Sequence, residues 1–255
     1  MKKLIINADD YGYTPGVSAG IIESYKNGIV TSTTALSVSP HFLESMHLAN
    51  IQAPNLAIGL HLALTLRHVK PILPVEEVPS LVNEKGEFSH QDSAENINLQ
   101  EVEREWQAQI DRFLESGRKP EHLDSHHYVH GRTQGLLAVA LKLAEKYNIP
   151  LRNTEAMEGM VKADFGNIKT TDVISADFYG KQATYEGLET FLNQVVESDK
   201  ETFELGCHPA FIDPELIKLS SYVEKRVEEV EILTSNRAKN WIKEKGILLS
   251  TYSDL

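Results

Sequence analysis

Leu4-Ile5-Ile6-Asn7-Ala8-Asp9-Asp10-Tyr11-Gly12 is the stretch that decides how this chain reads. An apolar run with strand character ends in two adjacent carboxylates and a glycine turn. Three more apolar segments also end in chemistry: Gly59-Leu60-His61, His122-Leu123-Asp124-Ser125-His126-His127 and Gly206-Cys207-His208-Pro209. Strands that deliver acids and imidazoles to their C-terminal ends predict one shared site, built around a divalent metal. In a closed barrel all strand ends meet in one mouth. In an open, doubly wound sheet only the strands near the switch point do. The chemistry is spread over the first, third, fourth and seventh predicted strands, which favours an α/β barrel.

The rest of the chain alternates in the same rhythm. Residues 3–8 read as a buried strand. Pro15 suits the first turn of a helix over about 15–27, with Val17, Ile21, Ile22 and Tyr25 at helical spacing and Gly28 as the stop. Residues 31–38 are rich in β-branched side chains and read as a second strand. A short helix over 41–50 and a third strand over 56–62 follow. A helix runs from Leu99 to Leu114, a fourth strand covers 122–126, and a helix spans 133–147. A fifth strand is expected over 149–152, a sixth over 173–178, a helix over 186–197 and a seventh strand over 203–207. Helices over 222–233 and 236–245 precede a last strand over 247–251. In the first of these helices Val223, Val227, Val230 and Leu233 share one face. Such alternation predicts parallel strands joined by crossover helices. Residues 66–98 hold Pro71, Pro74, Pro79 and Gly86 and break the rhythm. They read as a long loop near the mouth, a lid or subsite wall. Residues 153–171 look irregular. With no repeat and no linker, 1–255 reads as one domain.

The bulk numbers set limits. A chain of 255 residues matches a single α/β barrel. A net charge of −12 argues against a nucleic-acid partner, because phosphate binding needs a basic face. Cys207 is the only cysteine, so no disulfide forms within the chain and a reducing compartment fits. The apolar run after Met1-Lys2-Lys3 is too short for a secretory leader, and no run approaches the ~20 residues of a membrane helix. The expectation is a cytoplasmic protein with no membrane contact. Neither a Gly-x-Gly-x-x-Gly turn nor a phosphate loop is present, which counts against nucleotide chemistry.

Each candidate residue has a chemical reason and a plainer alternative. Asp9 and Asp10 would face opposite ways in a regular strand, but both reach one pocket if the strand end turns. Two close carboxylates divide labour, one binding a cation and one taking protons; the alternative is an Asp pair capping the turn. His61 at a strand end gains weight from its company. His122, Asp124 and His126 share a face at period-two spacing, with His127 and His130 nearby, and so much imidazole points to a metal or catalytic role. Pro209 biases His208 to an extended conformation that aims its ring into the mouth. Cys207 reads as a small buried hydrophobe. Arg152 either orients a carboxylate or lies on the surface. Oxygen and nitrogen donors suit zinc, magnesium, manganese, cobalt or nickel. Tyr11, Phe88, Tyr128, Phe178 and Tyr179 are candidate stacking surfaces for a substrate, with ordinary packing as the alternative.

These motifs, in this order, resemble the YdjC-like carbohydrate deacetylase family, which includes the chitooligosaccharide deacetylases. The matching pieces span nearly the whole chain. The resemblance implies a distorted (β/α) TIM-like barrel related to polysaccharide deacetylases. It implies one divalent metal ion, magnesium or zinc first, held by Asp10, His61 and His126. Asp9 would be the general base and His208 the general acid, with Arg152 orienting Asp9 by analogy with the wider deacetylase group. The family often has a third consecutive histidine where this chain has Tyr128, and the choice between His126 and His127 stays open. The substrate would be an N-acetylated mono- or oligosaccharide. Family members are often dimeric, so a homodimer is an expectation of the resemblance alone. The competing readings are a metal-dependent phosphoester or other amide hydrolase, and a sugar-binding protein without catalysis.

Overall fold

A computed structural model describes residues 1–89, 97–162 and 164–255. Its strands, in chain order, are β1 (Lys3–Tyr11), β2 (Ser32–Ala35), β3 (Ala57–Leu62), β4 (Leu123–Ser125), β5 (Val173–Ser175), β6 (Thr202–Cys207) and β7 (Leu248–Leu249). Every residue of β1 after Lys3 is buried, as expected of a strand covered on both faces. It sits between β2 and β6 in a sheet of order β4-β3-β2-β1-β6-β5, all in parallel. β2 joins β1 only from Asn7 onward, so β7 takes the earlier part of that edge at Lys3 and Leu4. Among the described residues no ladder closes β5 onto β4. The result is a curled half-barrel wrapped by helices, a distorted version of the barrel expected from sequence.

The helices are α1 (Pro15–Lys26), α2 (Phe42–Gln52), α3 (Leu99–Leu114), α4 (Gln134–Tyr147), α5 (Tyr185–Glu197), α6 (Pro214–Leu219), α7 (Glu224–Thr234) and α8 (Asn236–Glu244). Their starts are chemically marked. Thr14, Thr133, Thr184 and Ser235 each accept a first-turn backbone N–H, which satisfies a donor the helix cannot. Among the described residues no helix is long and apolar enough to cross a membrane.

Several expected elements are shorter or different. The fifth strand over 149–152 reduces to one bridge, Leu123 with Leu151. Pro150 has no N–H for a ladder, and the Leu151 N–H turns away to Lys169 O. The second, sixth and last strands stop short of their expected ends. An unexpected α6 starts where Asp213 accepts from the Glu215 and Leu216 N–H groups ahead of Pro214 at the first position. The valine stripe on α7 is a correction. Val227 is exposed, while Arg226 and Glu229 are buried beside Val230 and Leu233.

The expected loop over 66–98 is tied down where it is described. It forms two short turns, Val75–Glu77 and Pro79–Leu81, and a bridge from Val82 to Phe88. Glu105 accepts from the Ile72 and Leu73 N–H groups, and Glu101 from Ser80 N–H and Oγ–H. Only Leu66 and Arg67 reach the barrel mouth among its described residues. Residues 90–96 of that expected loop lie outside the described residues.

Candidate active site

The site begins with an irregularity in β1. Ala8 pairs with Thr33, yet Tyr11 pairs with Ala35. β1 therefore carries one residue more than β2 over this step, a β-bulge that re-aims side chains. Asp10 takes up the slack in a left-handed conformation, with φ 74°, which aspartate tolerates better than most residues. The bulge is why Asp9 and Asp10 line the same cavity instead of opposite faces.

Three side chains converge on one point. Asp10 Oδ1 lies 3.1 Å from His126 Nδ1 and 3.6 Å from His61 Nε2. Their donor atoms all fall within 4.8 Å of one another, close enough to hold one metal ion. Register explains the orientation of His61. It pairs directly with Asp124 across β3 and β4, and its Nδ1 lies 2.6 Å from Asp124 Oδ1. A carboxylate behind Nδ1 fixes the tautomer that leaves a lone pair on Nε2, facing the trio. Burial alone would lower His61, but Asp124, with Asp9 and Asp10, outweighs it and raises the imidazole to about 9. These carboxylates favour a positive charge at this spot even within the bare chain. The donor set and its electrostatics therefore fit a divalent cation. Arg226 on α7 donates from Nη2 to Asp10 Oδ2 at 2.8 Å, leaving Oδ1 for the trio.

Asp9 is held differently. Arg152, fully buried, grips it with two parallel bonds, Nη1 to Oδ2 at 2.9 Å and Nη2 to Oδ1 at 2.8 Å. The same guanidinium contacts Asp124 Oδ2 at 2.7 Å and Glu204 Oε1 at 2.7 Å. Asn7 Nδ2 adds a bond to Asp9 Oδ1 at 2.8 Å. Burial would push the Asp9 carboxyl up, but Arg152 dominates and holds it well below the usual carboxylate range. Arg152 is thus no surface residue. It is the shared cation of three buried carboxylates.

His208 stands beside Asp9 for a topological reason. The β1–β6 ladder ends at Ala8 with Cys207, so Asp9 and His208 are the next residues on neighbouring strands. His208 is half-buried in the cavity wall, edge-on to Tyr179 with ring centres 5.4 Å apart. Burial pushes its imidazole down to about 4, so in the free site it rests neutral. The cavity, of about 570 Å³, is lined by Asp9, Asp10, His61, His126 and His208, with Tyr128, Tyr179 and Tyr222 among its aromatics.

The histidine-rich run separates by role. His126 joins Asp10 and His61. His127 and Tyr128 both adopt left-handed backbone, φ 54° each, and line the cavity. His127 Nδ1 meets Thr65 Oγ1 at 3.0 Å and is not in the trio. His122 is buried away from the site, stacked on Tyr252 at 4.0 Å and packed where only Gly59 leaves room. His130 bridges Ser125 and the Arg152 carbonyl. The period-two face expected of His122, Asp124 and His126 is lost because the strand ends at Ser125. Cys207 is a buried thiol that donates to Asn7 O. Of the five aromatic candidates, Tyr128 and Tyr179 reach the cavity, while Tyr11, Phe88 and Phe178 pack in the core.

Arg226, Glu229, Tyr222 and Glu204 belong to the site's framework and were not expected. For Tyr222, Arg226 and Glu229 the one sequence signal is their spacing with Leu233. That spacing repeats every three or four residues and puts polar groups on a core-facing stripe.

A YdjC-like protein family profile matches residues 3–244. The chain belongs to the YdjC-like family. A carbohydrate deacetylase of Enterococcus faecalis is 54% identical over 100% of this chain and 98% of its own length. The crystal structure of an E. faecalis protein, described as a candidate cellobiose-phosphate cleavage protein, superposes with a TM-score of 0.95. It is 54% identical and covers 99% of this chain and 98% of its own. A peptidoglycan N-acetylglucosamine deacetylase structure shares the fold at 11% identity, with a TM-score of 0.54 over 98% of this chain and 85% of its own.

Proposed function

We propose that this chain is a metal-dependent carbohydrate deacetylase that cleaves the acetamide of an N-acetylated sugar. The observation that supports this best is the bulged Asp9–Asp10 pair. One carboxylate joins two imidazoles, its neighbour is locked on a buried arginine, and His208 stands beside it. Asp10, His61 and His126 would hold one divalent ion, magnesium or zinc first. Such an ion supplies Lewis acidity to a carbonyl and to a nearby water.

The residues divide the proton work. Asp9, kept ionised by Arg152, accepts two hydrogen bonds at Oδ1 and one at Oδ2, which leaves Oδ2 to take a proton from the attacking water. His208 delivers a proton to the departing amine, which leaves poorly without one. His208 rests neutral, so it takes up a proton from solvent before it delivers one to the amine, and the proton that Asp9 takes from water returns to solvent when acetate leaves. The balance closes: water adds to the carbonyl, the C–N bond breaks, and acetate and a free amino sugar leave. Tyr179 and Tyr222, stacked with ring centres 4.1 Å apart, offer an aromatic face to the sugar. A second ligand group, Asp9, His61 and Asp124, is already bridged by the Arg152 guanidinium. That favours one ion and disfavours two-metal phosphoester cleavage.

The test is acetate release from N-acetylated chito-oligosaccharides with added magnesium, zinc, cobalt or manganese and a chelator control. Chelator-sensitive release is expected. No release from folded, metal-loaded protein would overturn the reading.

A further inference from the structure

Where the chain leaves β6, its backbone loses the sheet. Cys207 is the last residue paired with β1. The N–H of His208 therefore needs another acceptor, Pro209 has no N–H to satisfy, and the N–H of Ala210 needs an acceptor too. All of this is met by α7. His208 N–H donates to Glu229 Oε2 at 2.5 Å, and Ala210 N–H to the Arg226 carbonyl at 3.1 Å. Glu229 is fully buried, and its other oxygen, Oε1, lies 2.5 Å from the Tyr222 hydroxyl, which also accepts from Gly180 N–H at 3.1 Å. Tyr222 stacks on Tyr179, and both rings stand edge-on to the His208 imidazole. His208 Nδ1 is buried and has no hydrogen-bond partner among the described residues. The ring is therefore not steered by a carboxylate of its own. Its direction is set by its main chain and by the two tyrosines.

We propose that Glu229 is a positioning residue for His208, acting through the His208 backbone N–H and the Tyr222 hydroxyl together. This rests on the deacetylase reading and deepens it. A carboxyl group suits both tasks whether or not it is ionised. One oxygen accepts from His208, while the other either accepts from Tyr222 or, protonated, donates to it. Glutamine can reproduce the second arrangement, and methionine can reproduce neither.

The experiment is a double-mutant cycle on the metal-loaded enzyme, with acetate release from an N-acetylated chito-oligosaccharide as readout. Glu229→Met should lower kcat by about 10–100-fold, since small misplacements of a catalytic group cost on that scale. Metal content should stay at the wild-type level and KM within about twofold. Glu229→Gln should restore most of the loss. In a His208→Ala background, Glu229→Met should cost almost nothing more, because the group it positions is gone. Independent, multiplicative losses would overturn the proposal and leave Glu229 a packing residue. An unchanged kcat in Glu229→Met, with active wild type, would also overturn it while sparing the deacetylase reading. A wild type that releases no acetate would overturn both.

Discussion

Replacing Arg152 by methionine tests whether one guanidinium holds the floor of the site together. The side chain makes five close contacts to three carboxylates: two to Asp9, one to Asp124 and two to Glu204. Methionine fills much of the aliphatic volume, so the loss is mainly electrostatic. Each carboxylate keeps another partner: Asn7 for Asp9, His61 for Asp124 and the Tyr252 hydroxyl for Glu204. Removing one partner of a buried ion pair typically costs about 3–5 kcal/mol, and that is the expected deficit at pH 7.5. The pH dependence has a definite sign. In the wild type Arg152 lowers Asp9 and Asp124, so their stabilisation is full above the ordinary carboxylate range and is lost as pH falls from that range through the lowered folded-state values. Without Arg152, burial dominates and raises the carboxyls, so the folded variant binds protons sooner than the unfolded chain. Its deficit should then shrink by about 1 kcal/mol or more between pH 7.5 and pH 5. Guanidinium unfolding followed by circular dichroism, with chelator present to remove metal linkage, measures both quantities. A deficit below about 1 kcal/mol at pH 7.5, or one that widens toward pH 5, would refute the shared-cation account.

Asp9→Asn should keep its metal but lose about 10²–10⁴-fold in kcat; unchanged turnover would remove Asp9 from the proton transfer. His61→Ala should abolish tight metal binding, and Asp124→Asn should weaken it about 10–100-fold by freeing the His61 ring. Calorimetric titration with zinc and magnesium reads both, and wild-type affinity in either variant would count against that residue's part. Glu229, pushed up by burial to about 7, is ionised in the unfolded chain before it is in the folded one. Wild-type stability therefore drains as pH rises from about 4.5 to 7. Glu229→Gln lacks that drain and should gain about 2–3 kcal/mol relative to wild type between pH 5 and pH 8, measured by denaturant unfolding. A pH-independent difference would show that the buried carboxyl does not titrate there.

The reading from sequence reached the residues whose chemistry is carried by type and placement at a strand end. Asp9, Asp10, His61, His126, Arg152 and His208 were all proposed on that basis or on family resemblance, and the fold brings all six together. It could not say why two neighbouring aspartates face the same way, because a bulge depends on register with β2, which only pairing reveals. It could not separate His126 from His122 by period two, because the strand ends one residue before His126. It passed over Arg226 and Glu229 because charged residues on a surface-like helix usually meet solvent. Here they replace the expected Val227 on the inward face. Leu151 kept its neighbours but not its strand, because Pro150 removes the donor that a longer ladder would need.

The β1 bulge has a further consequence for how this site can wear or evolve. Asp9 and Asp10 are consecutive, so their backbones are about 3.8 Å apart by bond geometry alone. No hinge or loop motion can draw the two attachment points apart. His61, His126 and His208 reach the cavity from β3, the end of β4 and the end of β6, and each can drift with its own segment. Heat or mild denaturant should thus uncouple the imidazoles from a carboxylate pair that stays intact. A one-residue deletion in the bulge should act abruptly instead, turning one aspartate out of the cavity. Gradual tuning is left to the imidazole side, where segments that move independently can be adjusted one at a time.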